Sequence, residues 1–170
     1  CMVHSEVYSF SRHFRNKGIK NIHYMAGFPE HSLNVIETLM SLGFNSKEKM
    51  RIDGEEISPL DFTTMVLKRI QVPKGYREVE NLWANIYGTA NGKKTKIRMN
   101  CIVKSVKGWE NAITNVDTGR TISIISQMLK KGMIVEKGVY APEAIVPCRP
   151  FFKELSKRKM YVYKNDRRIN

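Results

Sequence analysis

No two of the eleven glycines in this chain stand as G-x-G. That absence excludes both the dinucleotide-binding fingerprint and the P-loop, in which closely spaced glycines let backbone amides reach phosphates. The chain also lacks G-x-S-x-G, H-E-x-x-H and any C-x-x-C pair, so no hydrolase elbow, zinc-peptidase helix or paired-cysteine metal site is expected. Cysteine is scarce: Cys1, Cys101 and Cys148 are far apart and odd in number, which argues against a disulfide framework and points to a reducing cytoplasm. No apolar run nears the roughly 20 residues of a membrane span, and the N-terminus has no signal-peptide order, so no membrane partner is expected.

What the chain does have is enough apolar material for a core, 42% of 170 residues, and a formal charge of +13 from 29 basic and 16 acidic residues. One compact domain over residues 1–170 is expected, with no dividing linker, internal repeat or low-complexity tract. The charge keeps nucleic acid in view as an alternative partner. However, the basic residues are scattered (Lys47/Lys49, Lys93 to Arg98, Lys130/Lys131, Arg149 to Arg168), without an aromatic-interleaved RNA-binding run or a recognition helix.

Periodicity places the elements. Ser5 stands before a short helix carrying Val7, Phe10 and Phe14 and stopped by Gly18. "IKNIHYMAGF" alternates like a strand. Leu33, Ile36 and Leu39/Met40 form one stripe of a helix over about 31–43. Asp53-Gly54 marks a hairpin turn. Ser58, Pro59 and Asp61 together mark a helix start, with the helix running to about 70.

Asn91-Gly92 joins strands 82–90 and 95–106, the second showing Ile97, Met99, Cys101 and Val103 on one face and mixed residues on the other. Thr118-Gly119 precedes an apolar-striped helix over about 120–131 that ends at Gly132. A proline-rich connection, a short "FFKELSKRK" helix and a terminal "MYVYK" strand complete the chain.

Taken in order, "HSEVYSF" (4–10), "GFPEH" (27–31), "LGFNSKEKMRIDGEEISPLDF" (42–62), "LWANIYGTANGKK" (82–94) and "TGRTISIISQMLKKGMIVEKGVYAPE" (118–143) resemble the C-terminal domain of the saccharopine dehydrogenase (saccharopine reductase)-like family. The resemblance covers nearly the whole chain. It implies an α+β domain with a mostly antiparallel or mixed sheet of about five or six strands. Helices would cover one face, and the other, apolar, would be free for a second copy in a homodimer. It further implies that a preceding Rossmann domain supplies the glycine loop for NAD or NADP, making this chain, which begins at Cys1, the substrate-side part of a longer enzyme.

The implied chemistry is hydride transfer between a nicotinamide and the CH–NH group of a small-molecule amine or amino acid of the lysine or saccharopine type. In that chemistry the protein orients the amine carbon and manages a proton. By position, the resemblance assigns His4, Glu6 and His31 to proton transfer, and Ser5, Arg98 and Arg120 to the substrate, the arginines as bidentate carboxylate partners. His31 matches although Glu30 stands where some members carry glycine. Thr118 and Gly119 would lie where residues 118–170 return toward the nucleotide domain, the free N–H groups of the following helix meeting an anion. The alternatives are a basic nucleic-acid-binding module and a non-catalytic dimerisation domain of the same family.

Overall fold

A computed structural model describes residues 4–170; Cys1, on which the expectation of a longer chain partly rests, lies outside them. The fold is α+β. The described residues form two compact units divided between Val72 and Pro73. No helix among the described residues is long and apolar enough to cross a membrane.

In the first unit, helix α1 (Ser5–His13) is followed by a 3-10 turn (Arg15–Lys17) that closes on Gly18 in the left-handed region (φ 75°). Phe10 and Phe14, one turn apart, meet edge to face with ring centroids 5.6 Å apart. Among the described residues, the strand expected within 19–28 is reduced to one bridge residue, Tyr24, since alternation alone does not hold a strand. Helix α2 spans Glu30–Ser41. Strands β1 (Met50–Ile52) and β2 (Glu55–Ile57) pair antiparallel. Their turn residues Asp53 and Gly54 are both at positive φ, the geometry that matches strand twist in a two-residue hairpin.

Helix α3 (Pro59–Leu67) starts as its sequence dictates. The Ser58 hydroxyl accepts the Asp61 N–H at 3.1 Å and donates to the Asp61 carboxylate at 2.7 Å, with Pro59 in the first turn. It ends three residues short of the expected position. No residue of α1, α2 or α3 is buried, so Leu33, Ile36, Met40, Phe62 and Met65 keep their apolar side chains exposed.

The second unit carries the core. Strands β3 (Val79–Ala90) and β4 (Lys93–Lys104) pair over twelve positions about the turn Asn91 (φ 51°) and Gly92 (φ 75°). Strands β5 (Val162–Lys164) and β6 (Arg167–Arg168) extend the sheet in the order β3-β4-β5-β6, all antiparallel. Helix α4 (Ile113–Lys130) and helix α6 (Cys148–Lys157) pack with it, and a single turn, α5 (Pro142–Ile145), precedes α6. Cys101 and Val103 from β4, Val162 from β5, Ile113, Ile124 and Met128 from α4, and Leu155 from α6 form one cluster with Ile134 and Met160.

Three expectations are corrected here. The six strands form a two-stranded and a four-stranded sheet rather than one sheet, because the β1–β2 hairpin pairs only with itself. Helix α4 begins at Ile113, seven residues before the expected start, since Ile113 and Val116 continue its apolar stripe upstream. The open face of the four-stranded sheet is not apolar. By alternation it holds Trp83 and Tyr87 together with Lys94, Lys96, Arg98 and Lys104.

Both tryptophans, Trp83 and Trp109, lie in the second unit, so tryptophan fluorescence reports its unfolding alone. Ile124, fully buried at the centre of α4, should cost about 2–5 kcal/mol when cut to alanine. Urea unfolding followed by tryptophan emission measures this, and a midpoint unchanged from the parent chain would place the core elsewhere.

Candidate functional site

The first unit builds one titratable constellation at the start of α1. His4 is the N-cap residue, in extended backbone conformation (φ −138°, ψ 155°), and offers no side-chain cap. Its ring is instead committed elsewhere: it stacks on Tyr24, with centroids 4.0 Å apart and planes within 9°. Its Nδ1 lies against the carboxylate of Glu6. The Ser5 hydroxyl donates to the same carboxylate at 3.2 Å. The imidazole is thus flanked by a carboxylate and by an aromatic ring that sets its plane, while its Nδ1 makes no hydrogen bond of ordinary geometry among the described residues. Three of the eight expected site residues thus come together, and Tyr24, read from the sequence only as a strand residue, joins them.

His31 sits in the first turn of α2, with its Nε2 3.2 Å from the Ser32 hydroxyl, and its neighbours are those of an exposed turn. Arg98, on β4, is bound to the β5–β6 turn. Its guanidinium pairs with Asp166, and its backbone N–H donates to the Asn165 side chain at 2.8 Å. Arg120 is half-buried on α4. Thr118 and Gly119 are in the second turn of α4, not before it, so their amides belong to the helical ladder. A side chain added at Gly119 would meet nothing within 4 Å.

At the observed start of α4 a carboxylate of the chain itself meets the free amide. Glu78, just before β3, accepts the Ile113 N–H at 2.9 Å. A carboxylate there satisfies a free amide and complements the positive end of the helix dipole. Two residues on, and on the core-facing side of β3, Glu80 accepts the Thr114 hydroxyl at 3.3 Å and lies beside Asp117, which is 6% exposed. Burial, and then the Asp117 charge, push the Glu80 carboxyl above the ordinary range. The same two influences raise the buried Cys101 thiol across the sheet.

This carboxyl pair was missed in the sequence. The available signal was Glu78 and Glu80 at strand spacing, both in phase with the core-facing Leu82.

A family model described as the saccharopine dehydrogenase C-terminal domain matches residues 1–160 of the chain.

Because Glu80 holds its proton to a higher pH when folded than when unfolded, the stability it contributes is complete below the unfolded pKa and is lost as pH rises through the folded one. Glu80→Gln should therefore gain stability over the parent chain as pH rises from about 4 to about 8. Urea unfolding at several pH values tests this; a difference constant with pH would mean that Glu80 does not titrate in this way.

Proposed function

Because this chain belongs to the saccharopine dehydrogenase C-terminal domain family, we propose that it is the substrate-side domain of an NAD(P)-dependent oxidoreductase acting on the CH–NH group of an amine or amino acid. The family match over residues 1–160 carries the reading. NAD or NADP would be gripped mainly by a nucleotide-binding domain outside residues 1–170, which accords with the absence of any G-x-G from this sequence. The nicotinamide supplies the hydride chemistry when bound.

In this reading the chain's own residues orient the amine and handle the proton that leaves or joins nitrogen. His4 is the proton-transfer group, and Glu6, held by Ser5, fixes the orientation of its ring. Tyr24 keeps the imidazole plane from rotating. His31, Arg98 and Arg120 are secondary candidates. Arg98 would have to leave Asp166 to meet a substrate carboxylate, whereas Arg120 forms no ion pair among the described residues.

Thr118 and Gly119 would serve the cofactor side through the exposed flank of α4 rather than through free amides. The exposed apolar residues of α2 and α3 support a need for further protein surface, from the nucleotide domain or from a second copy of the chain. A homodimer in the cytoplasm is the proposed assembly.

The test is to express the complete parent gene product and screen lysine, saccharopine and polyamine-type amines with NAD+ and NADP+, following nicotinamide absorbance. Amine-dependent reduction is expected, and His4→Gln should lower kcat/KM by about 10²–10⁴-fold. Glu6→Gln should lower it less, since it removes only the orienting group. No turnover with any amine, or full activity in His4→Gln, would refute the reading or the role of His4 respectively.

A further inference from the structure

The open face of the four-stranded sheet is not used by the function proposed above. Pairing across the sheet sets Trp83, Asn100, Tyr163 and Arg168 in one transverse row, one residue from each strand. Trp83 is 53% exposed, Tyr163 is half-buried, and Asn100 lies between them. Among the described residues the Asn100 side-chain oxygen is shielded from water and meets no hydrogen-bond donor, so the ligand-facing groups of the row are the two rings.

Along the same face, Tyr87 pairs opposite Lys96, whose ammonium lies 5.3 Å from the ring centroid, and Lys94 and Lys104 stand at the ends of β4. Arg168 stacks on Tyr161 with its guanidinium 3.9 Å from the ring centroid. Among the described residues, no Asp or Glu occupies a β3–β6 position on this face. A second copy set against it would oppose like charges, so the composition favours an anionic occupant with flat apolar faces.

We infer that this sheet face binds single-stranded nucleic acid, with bases stacked on Trp83 and Tyr163 on either side of the Asn100 amide and phosphates met by Lys94, Lys96 and Lys104. Aromatic rings on a sheet stack with unpaired bases whatever their identity, while lysines along the strands track the backbone. A duplex hides its base faces inside its own stack, so the exposed rings select the single strand. An acidic protein would meet the lysines but leave the accessible rings of Trp83 and Tyr163 unexplained.

The experiment titrates the 170-residue chain into a short fluorescein-labelled oligouridine at physiological ionic strength, reading anisotropy and tryptophan quenching, with a hairpin duplex as competitor. Trp83→Ala should weaken binding by about tenfold, and Trp83→Phe, which keeps a stacking ring and serves as the folding control, by much less. Lys96→Gln should lower the slope of log affinity against log salt by roughly 0.7. Lys131→Gln and Lys153→Gln, at the C-cap of α4 and on α6, should change affinity by less than about twofold.

Binding unaffected by Trp83→Ala, duplex bound as tightly as single strand, or equal loss from the helix-side lysines would each overturn the proposal and leave only diffuse charge attraction. So would failure to bind the oligonucleotide together with a dimer that Trp83→Ala dissociates. None of these outcomes depends on whether the parent enzyme oxidises an amine.

Discussion

The register of the β3–β4 hairpin is the constraint from which most of the second unit follows. Asn91 and Gly92, both at positive φ, allow a tight two-residue turn and fix twelve cross-strand pairs behind it. A slip of one residue would turn Cys101 and Val103 outward and bring Asn100 and Ile102 into the helix-covered side. In the observed register, Glu78 reaches the first amide of α4, Glu80 comes beside Asp117, and Trp83 aligns with Asn100 and Tyr163. One turn therefore settles the core, the buried carboxyl pair and the composition of the open face.

The two units differ in how they are held. The second has a closed apolar cluster with Ile124 and Met128 at its centre. The first is held chiefly by local devices, including the Ser58–Asp61 cap, the Asp53-Gly54 turn and hydrogen bonds from Thr63 and the Leu60 amide back to Phe44 and Ser46. Local devices define elements, but they do not remove much apolar area from water, which is the dominant source of folding free energy. The apolar stripes of α2 and α3 thus remain largely exposed.

Features set by short-range chemistry were legible in the sequence: both two-residue hairpin turns, the Ser58 start of α3, the alternation of β4 and the glycine stop after α4, whereas α1 ends at His13 and Gly18 closes the 3-10 turn that follows it. Features set by distant partners were not. The start of α4 escaped because its capping group is Glu78, thirty-five residues upstream, so "NAIT" shows no local signal. The strand around Tyr24 was overcalled because alternation records a face and not a neighbour. Around His4, the nearness of Glu6 is local in sequence, but the stacking of His4 on Tyr24 joins positions twenty residues apart. The aromatic and basic row across the sheet was invisible because its members are neighbours across strands rather than along the chain.

Cys101 lies in the middle of this sheet, between Leu82 and Val162, buried and with its thiol raised by desolvation and by the Asp117 carboxylate. It is poorly disposed to become a thiolate, the form that reacts with electrophiles. Cys148, by contrast, is exposed at the start of α6. Alkylation of Cys101 must wait for the helices to lift from the sheet. Its labelling rate is thus an internal clock for breathing of the core, with Cys148 marking time zero.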